Sequence, residues 1–257
     1  MKSDLEINSS PWKLLLAEDS KVDAEVIANH IRDYPIPVET VVVSTGEQGQ
    51  AMLSTNQFDL AFFDVFFSGL SGIDALRNVR EAGYRTFVTL MSGRLPQDYR
   101  KIGRELSAYD YLEKPLTREL IHTVLDAYAE TRIKKKILLI DDSATARRLM
   151  KRIMERSLFD VEVIEAGDGV TGFEAFMQSR PDAVFVDLNM TVLDGRSTVR
   201  IIRAADRHVP IVLVSGDHGM LESSEGTYKL AKPFVPYQIS ELLYNFCGVR
   251  PPLSGAL

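Results

Sequence analysis

The sequence predicts an α/β protein built from two doubly wound, five-stranded parallel sheets in tandem. The first observation behind this is an internal repeat. Leu14-Leu15-Leu16-Ala17-Glu18-Asp19-Ser20 returns as Ile137-Leu138-Leu139-Ile140-Asp141-Asp142-Ser143, Phe62-Phe63-Asp64 as Phe185-Val186-Asp187, and Met91-Ser92-Gly93 as Val214-Ser215-Gly216. Asp19 and Asp142, Asp64 and Asp187, and Ser92 and Ser215 all stand 123 residues apart, whereas Lys114-Pro115 returns as Lys232-Pro233 after 118. A constant separation over most of the chain marks a duplicated unit, and the second copy has lost five residues between its Ser and its Lys. The other two observations are short apolar runs and the helical stripes between them.

The first copy predicts strands over Lys13–Ala17, Val38–Val43, Leu60–Phe63, Thr86–Met91 and Tyr109–Leu112. The second predicts them over Lys136–Ile140, Val161–Glu165, Ala183–Val186, Ile211–Val214 and Tyr228–Ala231. These runs do not alternate with period two, the pattern of parallel strands covered on both faces. Between them, Ala146, Leu149, Met150, Ile153 and Met154 trace a helical stripe, with Ser143 placed to cap it. Leu116, Leu120, Ile121, Val124 and Leu125 trace another, on a helix running from Thr117 to Arg132. Strand–helix alternation of this kind makes a doubly wound layer structure. The domains are expected at 12–133 and 134–249, with 250–257 as a tail. No Gly/Ser-rich or Pro-rich linker parts them, so coupling through the helix is expected rather than free tethering.

Bulk properties narrow the partners. The net charge of −6 argues against nucleic-acid and anionic-membrane binding. Lys134-Lys135-Lys136 is read as cations closing a helix. Cys247 is the sole cysteine, which excludes a disulfide framework and a Cys-based metal site. The first residues lack the apolar core of a signal peptide, and no apolar run approaches the ~20 residues of a membrane span. A cytoplasmic location is expected.

The repeated polar stations carry the chemistry. In a doubly wound sheet, ligands sit beyond the C-terminal ends of the strands, where the strand order switches. Glu18-Asp19, Asp64, Ser92 and Lys114 follow or end four such strands and converge on one rim. Clustered carboxylates repel, and a hard divalent ion such as Mg²⁺ relieves them. An ammonium and a hydroxyl aimed at the same point would hold phosphoryl oxygens, and a carboxylate can itself be the nucleophile. Any one of these residues alone is more commonly a cap or turn residue.

The five stations, in order and twice over, resemble the receiver domains of two-component response regulators, and the likeness covers nearly the whole chain. It implies flavodoxin-like sheets. It implies Mg²⁺ ligands at Glu18, Asp19, Asp64 and the backbone of Phe66, and at Asp141, Asp142, Asp187 and the backbone of Asn189. It implies phosphorylation of Asp64 and Asp187, with Ser92, Lys114, Ser215 and Lys232 contacting the phosphoryl group, and Ser92 and Tyr111 as the switch pair. The donor implied is a histidine kinase or histidine phosphotransfer protein, and a homodimer is an open option. With no output domain predicted between 12 and 249, output is expected through contact with a downstream protein target.

The copies depart from the family pattern unequally. The loop after the acceptor usually reads close to Met-Pro-x-Met-Asp-Gly. Copy two has Asn189-Met190-Thr191-Val192-Leu193-Asp194-Gly195, with Thr191 where Pro is common. Copy one has Phe66-Phe67-Ser68-Gly69-Leu70-Ser71-Gly72, whose Phe pair is either a contact surface or loop packing. Tyr111 stands at the switch position of copy one and Lys229 at that of copy two. The deletion falls within 216–227, so the fourth helix of copy two is expected to be short or lost. Copy one then reads as the switch and copy two as a partner domain with an altered face. Arg94 and Asp217, two residues past each Ser, border the pockets, and none of His30, His122, His208 and His218 is marked as a phospho-donor.

Three alternatives stay open. The chain can be the regulatory part of a larger enzyme such as a diguanylate cyclase, or a scaffold with an inactive receiver. A phosphatase of the haloacid-dehalogenase type would need a second Asp two residues past the nucleophile, where Phe66 and Asn189 stand.

Overall fold

The computed structural model describes residues 10–55, 57–217, 219 and 228–249. Two compact units divide between Ala129 and Glu130. The first carries β1 (Trp12–Ala17), α1 (Lys21–Arg32), β2 (Val38–Val43), α2 (Gly46–Leu53), β3 (Leu60–Asp64), α3 (Gly72–Glu81), β4 (Phe87–Ser92), α4 (Tyr99–Glu105) and β5 (Asp110–Glu113). Helix α5 (Arg118–Thr131) follows and reaches across the division. Its sheet is all parallel in the order β2-β1-β3-β4-β5.

The second unit carries β6 (Lys135–Ile140), α6 (Ala144–Glu155), β7 (Val161–Ala166), α7 (Gly169–Ser179), β8 (Ala183–Asp187), α8 (Gly195–Ala205), β9 (Ile211–Ser215), β10 (Tyr228–Ala231) and α9 (Pro236–Phe246). Its strands run β7-β6-β8-β9-β10, again all parallel, so both units are flavodoxin-like sheets of one topology. In each, the order switches between the first and third strands, which sets the rim beyond β1 and β3, or β6 and β8, as the binding edge.

Burial explains the composition of the strands. β3, β4, β8 and β9 are buried along their whole length, as expected for central strands covered on both faces. β2 and β7 are edge strands and are mostly half-exposed, which lets Glu39, Glu162 and Glu165 sit on them. Helix starts follow the caps: the Ser20 hydroxyl accepts from Asp23 N, Ser143 from Ala146 N, and Asp194 from Ser197 N.

Several expectations shift. Asp64, Ser92, Asp187 and Ser215 are the last residues of their strands rather than the first beyond them, because parallel pairing continues one step further. Leu149 is 52% exposed and Leu120 is 39% exposed, so neither belongs to its buried stripe. On α6 the burial narrows to Met150 and Met154. Lys135 and Lys136 begin β6 rather than closing a helix, and Lys134 pairs with Glu162 at 3.0 Å. The expected loss of the fourth helix in the second copy falls, apart from Gly216, Asp217 and Gly219, outside the described residues, as do His218 and 250–257.

Arg80 is a buried cation that sequence reasoning did not single out. It donates to the carbonyls of Leu106, Tyr84, Thr86 and Ser107 at 2.8, 3.0, 2.8 and 3.3 Å, tying the end of α3 to the end of α4. Among the described residues, no helix is long and apolar enough to cross a membrane.

Candidate functional site

In the first unit, Glu18 follows β1, Asp64 ends β3 and Lys114 follows β5. The sheet order therefore places two buried acids on either side of the switch point. Glu18, Asp19 and Asp64 each offer a carboxylate oxygen within 4.8 Å of the others. Glu18 and Asp64 are buried and Asp19 is exposed. Lys114 Nζ lies 2.5 Å from Glu18 Oε2 and also donates to Asp64. Burial holds the Glu18 carboxyl above the usual glutamate range, with Lys114 pulling it back. Burial works against the Lys114 ammonium, but its bonds to Asp64 and Glu18 outweigh this and hold it above the ordinary lysine value. The Asp64 carboxylate also accepts from its own loop, from Phe66 N at 3.0 Å.

Ser92 ends the neighbouring strand and is fully buried. Its hydroxyl donates to Arg94 O at 2.6 Å and accepts from Arg94 N at 3.1 Å, so it is turned into its own loop. Tyr111 is 2% exposed and lies beside Ser92, and burial raises its phenol above the ordinary tyrosine value. Its hydroxyl has no hydrogen-bond partner among the described residues. The Phe66-Phe67 pair divides: Phe66 is 65% exposed beside the site, while Phe67 packs on the core against Phe63.

The second unit repeats the arrangement with different detail. Asp141, Asp142 and Asp187 also offer oxygens within 4.8 Å of one another. Lys232 Nζ bridges Asp141 Oδ2 at 2.9 Å and Asp187 Oδ2 at 3.0 Å. Burial again opposes the Lys232 ammonium, and its bonds to Asp141 and Asp187 more than compensate, holding it above the usual lysine value. The Ser215 hydroxyl accepts from Asp217 N at 3.0 Å and from the Asn189 side-chain amide at 3.4 Å. Asp142 Oδ2 accepts from Thr191 N at 3.2 Å and Thr191 Oγ1 at 3.4 Å. Both Lys-Pro peptide bonds, at Lys114-Pro115 and Lys232-Pro233, are cis.

Three contacts in this unit were not anticipated: Asn189 to Ser215, Thr191 to Asp142, and Arg147 to the acid-pair loop. Thr191 was visible as a departure at the usual Pro position. Arg147 was visible as Arg where the first copy has Ala24.

Two parallel sheets, each with an acid–acid–lysine cluster at its switch point, define a pair of like domains. The family of response regulator receiver domains matches twice, over residues 14–126 and 137–241, and the chain belongs to it. Receiver domains are typically non-enzymatic signalling modules that work with histidine kinases or phosphotransfer partners and generally bind Mg²⁺ in an acidic pocket.

The transcriptional regulatory protein PrrA of Mycobacterium tuberculosis (strain ATCC 25618 / H37Rv) is 36% identical over 106 residues, 39% of this chain and 44% of PrrA. A protein-glutamate methylesterase/protein-glutamine glutaminase of Symbiobacterium thermophilum is 39% identical over 80 residues, 31% of this chain and 22% of that protein. The matches thus span less than half the length of these curated relatives. A solved structure of a probable two-component system response regulator/GGDEF domain protein covers 92% of this chain and 98% of its own, with a TM-score of 0.57 and 22% identity, a likeness of fold.

Proposed function

We propose that this chain is a two-component response regulator with receiver domains at 12–133 and 134–249, in which Asp64, and in the second domain Asp187, accepts a phosphoryl group. The observation that carries the reading is the bridging ammonium: Lys114 on Glu18 and Asp64, and Lys232 on Asp141 and Asp187. A lysine held between an acceptor carboxylate and a neighbouring acid is placed to follow charge as it moves onto the acceptor. The donor is a histidine kinase or histidine phosphotransfer protein. An oxygen of Asp64 attacks phosphorus, the P–N bond to the donor histidine breaks, and the histidine nitrogen keeps the electron pair.

Three mutually close carboxylates are the hard oxygen donors that suit Mg²⁺, so the donor set fits. Glu18, Asp19, Asp64 and the Phe66 carbonyl would hold the ion in the first domain; Asp141, Asp142, Asp187 and the Asn189 carbonyl would hold it in the second. When bound, it neutralises charge on the carboxylates and the transferring group. Lys114 and Ser92, and Lys232 and Ser215, take the remaining phosphoryl oxygens. Phosphorylation adds a charge near −2, which draws the Ser92 hydroxyl away from Arg94 and changes the space open to Tyr111. Copy one is the switch; copy two, with Lys229 in place of that aromatic, is the partner domain. Output is contact with a downstream protein, without nucleic acid or membrane, and the protein is cytoplasmic.

The test is intact mass after incubation with Mg²⁺ and a small phosphodonor, for wild type, Asp64→Asn and Asp187→Asn. Two added phosphates, one lost in Asp64→Asn and the other in Asp187→Asn, are the expected result, whereas a single one lost only in Asp64→Asn removes Asp187 as an acceptor. Loss only in Asp187→Asn reverses the assignment of the switch, and no addition in wild type, with the cognate donor also supplied, refutes it.

The second reading makes this pair the regulatory part of a larger enzyme such as a diguanylate cyclase. The solved protein with the same tandem fold, named a response regulator/GGDEF domain protein, favours it. The full reading frame decides between the two.

A further inference from the structure

The two acidic pockets differ in what stands behind them. In the second domain, Arg147 Nη1 donates to the main-chain carbonyl of Asp141 at 2.6 Å. Arg147 Nε faces Glu165 Oε2 at 3.4 Å, and Lys151 Nζ holds Glu165 Oε1 at 3.0 Å from the other side. The Arg147 side chain is only 19% exposed and lines a small pocket together with Asp141, Asp187, Met150, Phe185 and Val214. At the constant separation of 123 residues, the first domain has Ala24, Ala28 and Val42 in the places of Arg147, Lys151 and Glu165. The strand register agrees, since Leu16 faces Val42 and Leu139 faces Glu165. Three positions change together from apolar to charged, which is the mark of one device rather than three solvated side chains.

The Asp141 carbonyl belongs to the peptide unit that joins Asp141 to Asp142. Fixing that plane fixes the positions of the two Cα atoms from which the carboxylates branch. Glu165 is shared by the guanidinium and the Lys151 ammonium, so the cluster keeps a net positive charge and its rigidity has to outweigh that charge for the acids to gain.

We propose that Arg147, held by Glu165 and Lys151, is a positioning residue that presets Asp141 and Asp142 for a divalent cation in the second domain, a function the first domain lacks. This rests on the reading of the acidic pockets as Mg²⁺ sites. The opposing expectation has the opposite sign: a cation beside a metal site that acted by charge alone would weaken Mg²⁺ binding, and its removal would tighten it.

The experiment is a site-resolved Mg²⁺ titration of the full chain by amide NMR, with Phe66 reporting the first site and Asn189 the second. Arg147→Met should weaken the second site about 10-fold, the usual scale for losing an outer-shell partner of a metal ligand, and leave the first unchanged. Glu165→Gln, which frees the guanidinium while preserving its volume, should weaken the same site in the same sense. Thermal denaturation in EDTA accompanies both variants, and Glu165→Gln carries the test if Arg147→Met does not fold. Unchanged or tighter binding at the second site in a folded variant overturns the positioning role. Absence of any Mg²⁺-dependent shift in wild type overturns the metal reading itself, a separate result.

Discussion

Gly72 lies directly against the main chain of Asp64: a Cβ at Gly72 would stand 1.9 Å from the Asp64 carbonyl oxygen. The repeat preserves the relationship, with a Cβ at Gly195 falling 2.2 Å from the Asp187 carbonyl oxygen. The start of α3, or of α8, is thereby pressed onto the backbone of Asp64, or of Asp187.

Gly72→Ala and Gly195→Ala should each force the loop after Asp64, or after Asp187, away from its helix. Overpacking costs about 1–3 kcal/mol, and a backbone neighbour that cannot rotate aside places these variants at the upper end. Urea denaturation measures the loss. Wild-type stability in Gly72→Ala would contradict the close approach.

Lys114→Met removes the cation shared by Glu18 and Asp64 and leaves two buried acids together. Breaking a buried pair in this way costs about 3 kcal/mol in EDTA, and added Mg²⁺ should restore part of it by neutralising the same carboxylates. Denaturation with and without Mg²⁺ checks both halves.

The raised Lys114 value gives the pH dependence a definite sign. The ammonium binds its proton more tightly folded than unfolded, so its pairing contributes in full below pH 10.5 and is lost as pH rises through the raised value. Glu18, also raised, favours the folded state most when protonated; that contribution falls away as pH climbs above 4.5. Lys114→Met should therefore lose stability less steeply than wild type above pH 10.5, measured by urea midpoints across the alkaline range.

Tyr111→Phe removes a buried hydroxyl that has no hydrogen-bond partner among the described residues. Deleting an unsatisfied group is neutral or stabilising, by up to about 1 kcal/mol in the unphosphorylated protein. A clear destabilisation would reveal a bond to Ser92.

Cys247 caps the end of α9, and burial raises its thiol from 9.0 to about 11. Its thiolate fraction at neutral pH should be about 100-fold below that of an ordinary cysteine, and labelling should rise about tenfold per pH unit until near 11. Thiol titration against pH measures this. Rapid labelling at pH 7 would refute the burial.

Strand positions and the repeat were legible because a parallel strand covered on both faces must be apolar along its length, as Leu60–Asp64 and Ala183–Asp187 are up to their final acid. The helical stripes were less exact: Leu149 and Leu120 fit the period yet face outward, because periodicity registers a residue's angle and not what lies opposite it. The acid and lysine stations could be lined up by their spacing. The hydroxyl of Ser92 turned onto Arg94, and Phe66 exposed while Phe67 is packed, follow from loop geometry that composition does not encode.

The amino-acid order alone determined the duplicated unit, the layer class and the identity of the polar stations, since these depend on periodicity and separation along one chain. Tertiary structure decided which groups meet. Lys114 reaches Asp64 across 50 residues and Lys232 reaches Asp141 across 91, because parallel pairing brings the ends of distant strands to one rim. Arg147 shows the same division: the change from Ala24 to Arg is written in the sequence, but its grip on the Asp141 carbonyl exists only where α6 packs against β7.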